Sequence, residues 1–272
     1  MKRPLIFIAL ILATVLAVTA VSQRASADVM GYAVDTGENL YSVNLTSASA
    51  TLIGNTNTGL FLEGLAISPG GGLFGTADSG NLYSINKSTG AATLIGDTGL
   101  GDIEGLDYNV AILLGTNLNT STTTFYSINT TTATPTAVVS TGKGITRAMA
   151  VQNPTTAYIT IDTPVYEGRS LVSVNLTTGT NTVLGTLSQS IGAMDFDPLS
   201  GTLYGLTSTG DDVIINQADG SLTLVGNTGG QFWLDLTIPT IPAAPAVPEP
   251  SSLLLLGSGL AGLAAWRRRQ AA

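Results

Sequence analysis

Carboxylates and a single guanidinium are the groups in this chain best placed to do chemistry. The sequence has no histidine and no cysteine, which removes imidazole bases, thiolate nucleophiles and the usual zinc ligands at neutral pH. Glu63, Glu104 and Arg147 open three similar apolar segments, Glu63-Gly64-Leu65, Glu104-Gly105-Leu106 and Arg147-Ala148-Met149. Asp107, Asp195 and Asp235 recur three residues further along the same kind of segment. Two carboxylates beside one Arg could hold a divalent cation or a sugar, or do acid/base work on a glycoside. The same residues also fit a plainer reading, as solvated charge at a strand end or a structural Glu–Arg pair. No cofactor other than a divalent cation is expected.

Other candidate motifs reduce to local structure. Gly70-Gly71-Gly72-Leu73-Phe74-Gly75 and Gly257-Ser258-Gly259-Leu260-Ala261-Gly262 match G-x-G-x-x-G, but neither lies between a strand and a helix of a βαβ unit, as a dinucleotide site requires. Asp35, Asp78, Asn117 and Asp162 recur at one strand end, where Asp and Asn make turns with their own backbone. A metal ring is the sharper alternative, without the spacing of a calcium loop. Asn44, Asn86, Asn119, Asn129 and Asn175 are N-x-Ser/Thr sequons. Four of them occupy one repeat position, so turn chemistry explains them.

The elements that must position the acidic residues come from an internal repeat, the first feature to seek in such a chain. Five segments share an apolar core ending in Asn: Leu40–Asn44, Leu82–Asn86, Phe125–Asn129, Leu171–Asn175 and Asp212–Asn216. Each is followed by a Thr-, Ser- or Gly-rich turn and an apolar strand such as Thr51-Leu52-Ile53-Gly54 or Thr223-Leu224-Val225-Gly226. The segments bearing the acidic residues form a third strand type, and Leu73-Phe74-Gly75-Thr76 and Leu203-Tyr204-Gly205-Leu206 typify a fourth. Four short strands per period of roughly 40 residues, parted by Gly and Asp turns, is the pattern of propeller blades.

The fold expected is all-β, a five-bladed β-propeller over residues 28–239. Gly64-Leu65-Ala66-Ile67-Ser68-Pro69 and Ala193-Met194-Asp195-Phe196-Asp197-Pro198 resemble NHL-type repeats. That resemblance implies that these are innermost strands. The chain then enters at the second strand of a blade, near Gly31, and ends on an unpaired inner strand, Phe232 to Ile238. Pairing the two would close the ring and remove its edges. An open β-solenoid is the alternative.

The two ends read as addresses. Lys2 and Arg3 precede an apolar run from Leu5 to Val21, and Ala25 and Ala27 supply an A-x-A exit. This is the form of a secretory signal peptide over residues 1–27, a substrate for signal peptidase. Pro-rich residues 240–250 make a stiff extended linker. After Pro248-Glu249-Pro250 comes a short apolar stretch, and then Arg267, Arg268 and Arg269. Residues 251–272 are expected to form a membrane helix held with its Arg cluster cytoplasmic. This tail resembles the PEP-CTERM signal. The resemblance implies cleavage by an exosortase-type membrane protease, transient anchoring, and delivery to the envelope surface or exopolysaccharide matrix.

Charge narrows the partners. Between Asp28 and Ala246 there are 17 acidic residues and four basic ones, so nucleic acid is not expected, because phosphate binding needs clustered positive charge. With only 10% charged residues and no evident catalytic set, the expected role is a non-enzymatic interaction or structural platform. Exopolysaccharide or surface proteins would be its partners. A glycan- or cation-binding propeller is one alternative, and a carboxylate-based lyase or glycosidase is another.

Overall fold

The computed structural model describes residues 28–117, 122–142, 144–161 and 169–240. The expected signal peptide and C-terminal helix, with Ala25, Ala27, Pro248, Glu249, Pro250 and the Arg trio, lie outside the described residues. Among those residues no helix is long and apolar enough to cross a membrane.

Twenty strands form five antiparallel four-stranded sheets, and these are the blades. The split blade contains β1 (Met30–Asp35), β2 (Asn39–Asn44), β3 (Ser49–Asn55) and β20 (Trp233–Thr237). The second runs through β4 (Leu62–Ile67), β5 (Leu73–Ala77), β6 (Asn81–Ile85) and β7 (Ala92–Asp97). The third holds β8 (Ile103–Asn109), β9 (Ile112–Asn117), β10 (Thr124–Ile128) and β11 (Pro135–Ser140). The fourth comprises β12 (Thr146–Asn153), β13 (Thr156–Ile161), β14 (Arg169–Asn175) and β15 (Asn181–Leu187). The fifth is β16 (Ile191–Phe196), β17 (Leu203–Thr207), β18 (Asp211–Ile215) and β19 (Leu222–Asn227).

The last strand completes the first blade: β20 pairs antiparallel with β1, Ala33 opposite Leu236. Each innermost strand (β20, β4, β8, β12, β16) touches the one before and the one after it, so the ring is closed. The solenoid alternative is not adopted.

Local chemistry explains the blades. Inner strands are buried on both faces, and their sequences are nearly continuous apolar runs; Leu62–Ile67 is an example. Turns rest on Asn side chains. Asn44 Oδ1 accepts from the N–H groups of Thr46 and Ser47, Asn129 and Asn175 likewise take two N–H groups, and Asn86 and Asn216 take one, from Ser88 and Ala218. Four of these are the repeated sequons, and their side chains are engaged in the turns.

The core is divided among the five seams between neighbouring blades, with one apolar cluster in each. One slot recurs. Leu40, Leu82, Phe125 and Leu171 sit just before the register shift between third and outer strands, and all are 0% exposed. At the rim, Gly54 lies so close to the next blade's turn that a Cβ there would meet Thr89 O at 2.1 Å, which forbids a side chain.

Candidate functional site

Every inner strand carries a bulge against its second strand, and that bulge builds the channel mouth. The register shifts fall between Leu62 and Gly64, Ile103 and Gly105, Thr146 and Ala148, and Ile191 and Ala193. The skipped residues are Glu63, Glu104, Arg147 and Gly192. In the split blade the skipped residue is Leu234, because Asp235 pairs with Val34 and Trp233 with Asp35. A bulged residue is released from the ladder and its side chain is re-aimed. Three adjacent blades thus present Glu63, Glu104 and Arg147.

The structure brings these three residues to one place and adds Asp102. Arg147 Nη1 donates to Glu104 Oε1 at 2.9 Å, with the Arg side chain 45% exposed and the Glu side chain buried. Glu63, Asp102 and Glu104 each offer a carboxylate oxygen, and these oxygens lie within 4.8 Å of one another. Glu63 Oε2 and Asp102 Oδ1 are shielded from solvent and have no hydrogen-bond partner among the described residues.

Burial pushes the Glu63 carboxyl up to about 9, reinforced by contact with Asp102 and by the charges of Glu104, Asp102 and Asp78. Glu104 is pushed up to about 7 by burial, opposed by Arg147 and assisted by Asp102. The mouth therefore holds a proton near neutrality, chiefly because its carboxyls are buried and secondarily because like charges crowd there. Chemically, such a cluster can accept a cation in place of that proton, or hold the proton as an acid.

The aspartates behave differently. Asp107 accepts from Tyr108 N–H at 2.6 Å in its own blade and from Val151 N–H at 2.6 Å in the next. Asp195 accepts from Phe196 N–H at 2.7 Å and from Ile238 N–H at 2.6 Å across the seam. Thr237 Oγ1 accepts from Ile67 N–H at 3.1 Å. The N–H groups of Ile67, Tyr108, Val151, Phe196 and Ile238 form one layer of the five inner strands, and these three side chains satisfy all of them. Where Ala66 and Ala150 offer no acceptor, the Asp of the following blade turns to its own backbone.

Asp235 departs from the expected repeat position. Strand pairing places Thr237, not Asp235, level with Asp107 and Asp195, and Asp235 level with Gly64 and Gly105. The cause is the bulge at Leu234, which fixes the register independently of the apolar pattern. Asp235 serves an adjacent layer, accepting from Leu65 N–H at 2.6 Å and Leu236 N–H at 2.9 Å.

All three aspartates are buried. Burial raises Asp107 to about 7 and Asp195 and Asp235 well above the usual range, and the backbone N–H groups oppose this. They are not gathered at the mouth with Glu63, Glu104 and Arg147.

Of the turn residues, Asp35 accepts from Gly37 and Asn39 N–H, both at 2.9 Å, and from the Tyr41 hydroxyl at 3.0 Å. Asn117 is buried, and its Oδ1 has no partner among the described residues; Asp162 lies outside them. Asp102 escapes sequence reading because its counterparts, Phe61 and Phe232, carry no charge; its place two residues before Glu104 was the available signal.

Comparisons with known proteins bear on the fold and on the C-terminal tail. The fold resembles a chain in the "Crystal structure of Nidogen/Laminin Complex" with a TM-score of 0.51 and 14% identity, covering 77% of this chain and 84% of that one. At that identity the likeness shows a shared propeller fold and nothing more. No curated protein matches the chain. The PEP-CTERM protein-sorting motif matches residues 246–269. The chain is therefore a five-bladed β-propeller carrying a PEP-CTERM sorting motif, the mark of an exported protein handled by an exosortase and sorted through the membrane to the cell surface.

Proposed function

We propose that the mature protein is a non-enzymatic interaction platform of the envelope surface or extracellular matrix. The observation that carries this reading is the use of the inner aspartates. Asp107, Asp195 and Asp235 are occupied by backbone N–H groups of two blades each, so they tie the ring together. The accessible chemistry then lies in the Thr-, Ser- and Asn-rich turns and at the mouth. Co-sedimentation of the mature protein with matrix polysaccharide from its native host tests the reading. Retention with the polysaccharide, and no new sugar ends, is the expected result. Bond cleavage during the incubation would favour the lyase or glycosidase alternative instead.

The mouth favours a second reading, as a divalent-cation site. Calcium takes carboxylate oxygens at about 2.3–2.6 Å, so two ligands of one ion lie at most about 5 Å apart. The oxygens of Glu63, Asp102 and Glu104 meet that limit, and Glu63 Oε2 and Asp102 Oδ1 are shielded with no donor against them among the described residues. Calorimetric titration with Ca²⁺ is expected to give a binding heat that Glu63→Gln abolishes. An equal heat in that variant, or none in the wild type, contradicts this second reading.

A further inference from the structure

The seam that closes the ring contains a charge-bearing residue where its four counterparts are apolar. Asp212 sits just before the register shift between β18 and β19, the slot that Leu40, Leu82, Phe125 and Leu171 occupy in the other blades. Each of those four belongs to the cluster of the seam ahead of it: split blade to second, second to third, third to fourth, fourth to fifth. Asp212 therefore belongs to the seam between the fifth blade and the split blade. Its cross-strand neighbour Leu206 packs in that seam with Ala33, Val43, Leu45, Trp233, Leu236 and Ile238. The opposite neighbour, Gly226, abuts Ala48 of the split blade, 2.7 Å from where a Cβ would stand.

Asp212 is 0% exposed, and neither of its carboxylate oxygens has a hydrogen-bond partner among the described residues. An ionised carboxylate without partners in an apolar site is strongly disfavoured, whereas the neutral acid costs far less. The groups around it do not relieve the charge. Tyr204 on β17 is the titratable neighbour it acts on, and its phenol is raised by burial and then by Asp197 and Asp212. Strand β19 carries no ionisable residue. From the split blade, Tyr41 packs on the seam with its hydroxyl already bonded to Asp35.

We propose that Asp212 is a proton-dependent latch on the closing seam: protonated, it lets the fifth and split blades share one core, and ionised, it loosens β1–β3 from the ring. The direction follows from linkage. Burial raises the carboxyl from 3.8 to about 7, so its contribution is fully present below the unfolded value and is lost as pH rises through the folded one. A protein passing from an acidic to a neutral or alkaline compartment would loosen at this seam.

Hydrogen exchange tests the latch, using the mature protein at pH 5.5 and pH 8.5, with rates corrected for intrinsic chemistry. Peptides from residues 28–55 and 203–238 are expected to lose protection by about tenfold or more at the higher pH, the change set by one unit or more of linkage. Peptides from residues 124–140, the outer half of the third blade, carry no carboxylate and are expected to hold theirs. Asp212→Leu restores the residue type of the other seams and is expected to remove the difference; Asp212→Asn, which keeps the volume without the charge, decides the matter should the Leu variant fail to fold. A seam that loosens equally in an uncharged variant, or a loss spread evenly over all five blades, overturns the proposal.

Discussion

The inner strands carry acidic side chains in two neighbouring regions, the wall of the channel and its mouth, and the regions treat them in opposite ways. In the wall, Asp107, Asp195 and Asp235 each take two backbone N–H groups. At the mouth, Glu63, Asp102 and Glu104 crowd together; among the described residues Arg147 is the cation paired there, and two of the carboxylate oxygens have no hydrogen-bond partner. Burial alone does not separate the two cases. The ladder does: inner-strand N–H groups that point into the channel need acceptors, and a residue in register can supply one. A residue on the bulge is turned away from that layer and is left to its neighbours. The contrast explains why the wall is structural and the mouth is the candidate site.

Removing a wall acceptor should have the largest effect. Asp195→Ala leaves the N–H groups of Phe196 and Ile238 without partners, at about 1–3 kcal/mol for each buried orphan. A loss of about 3 kcal/mol in urea unfolding is expected.

The second effect is on pH dependence, which both regions share. Glu63 is raised to about 9, and Glu104, Asp107 and Asp212 to about 7, from ordinary values of 4.5 or 3.8. Between those limits the folded state holds more protons than the unfolded chain, so stability falls as pH rises. The unfolding free energy from urea titration should be higher at pH 5 than at pH 8, by at least about 2 kcal/mol, the share of one such group. A midpoint that climbs with pH would mean that the backbone donors outweigh burial.

Arg147→Met sharpens the mouth half of the comparison. It strips Glu104 of its partner, and with the Arg side chain half exposed the loss should be about 1–2 kcal/mol at pH 8. At pH 5, where Glu104 is protonated, the loss should shrink. Adding Glu104→Gln should restore most of it, as a double-mutant cycle would show. The smallest effect falls on the neutral member of the wall. Thr237→Val orphans only Ile67 N–H and should cost about 1 kcal/mol.

Much of this architecture was legible in the sequence. The Leu-Tyr-Ser-x-Asn core recurs because the third strand and its Asn turn face the same demands in each blade. The period thus reveals the blades, and their phase reveals the split one. Glu63, Glu104 and Arg147 stood out because they interrupt an otherwise apolar inner strand.

The function of the aspartates was not legible, because it depends on which N–H of a neighbouring blade lacks an acceptor. Asp235 was misaligned with Asp107 because Phe232–Leu236 fits the apolar pattern in either register, and only pairing with β1 fixes the bulge at Leu234. Asp102 has no charged counterpart to draw attention to it. Asp212 did carry a signal, an acid in a slot otherwise filled by Leu40, Leu82, Phe125 and Leu171. Its weight becomes clear only when both oxygens are seen to lack partners.

The most direct test sets one residue of each region side by side: the unfolding free energies of Asp107→Ala and Glu63→Ala at pH 7. The account predicts a loss of about 3 kcal/mol for Asp107→Ala, from orphaning Tyr108 and Val151 N–H, and no loss or a gain for Glu63→Ala. Comparable losses in the two variants, or tolerance of Asp107→Ala, would contradict the division between wall and mouth.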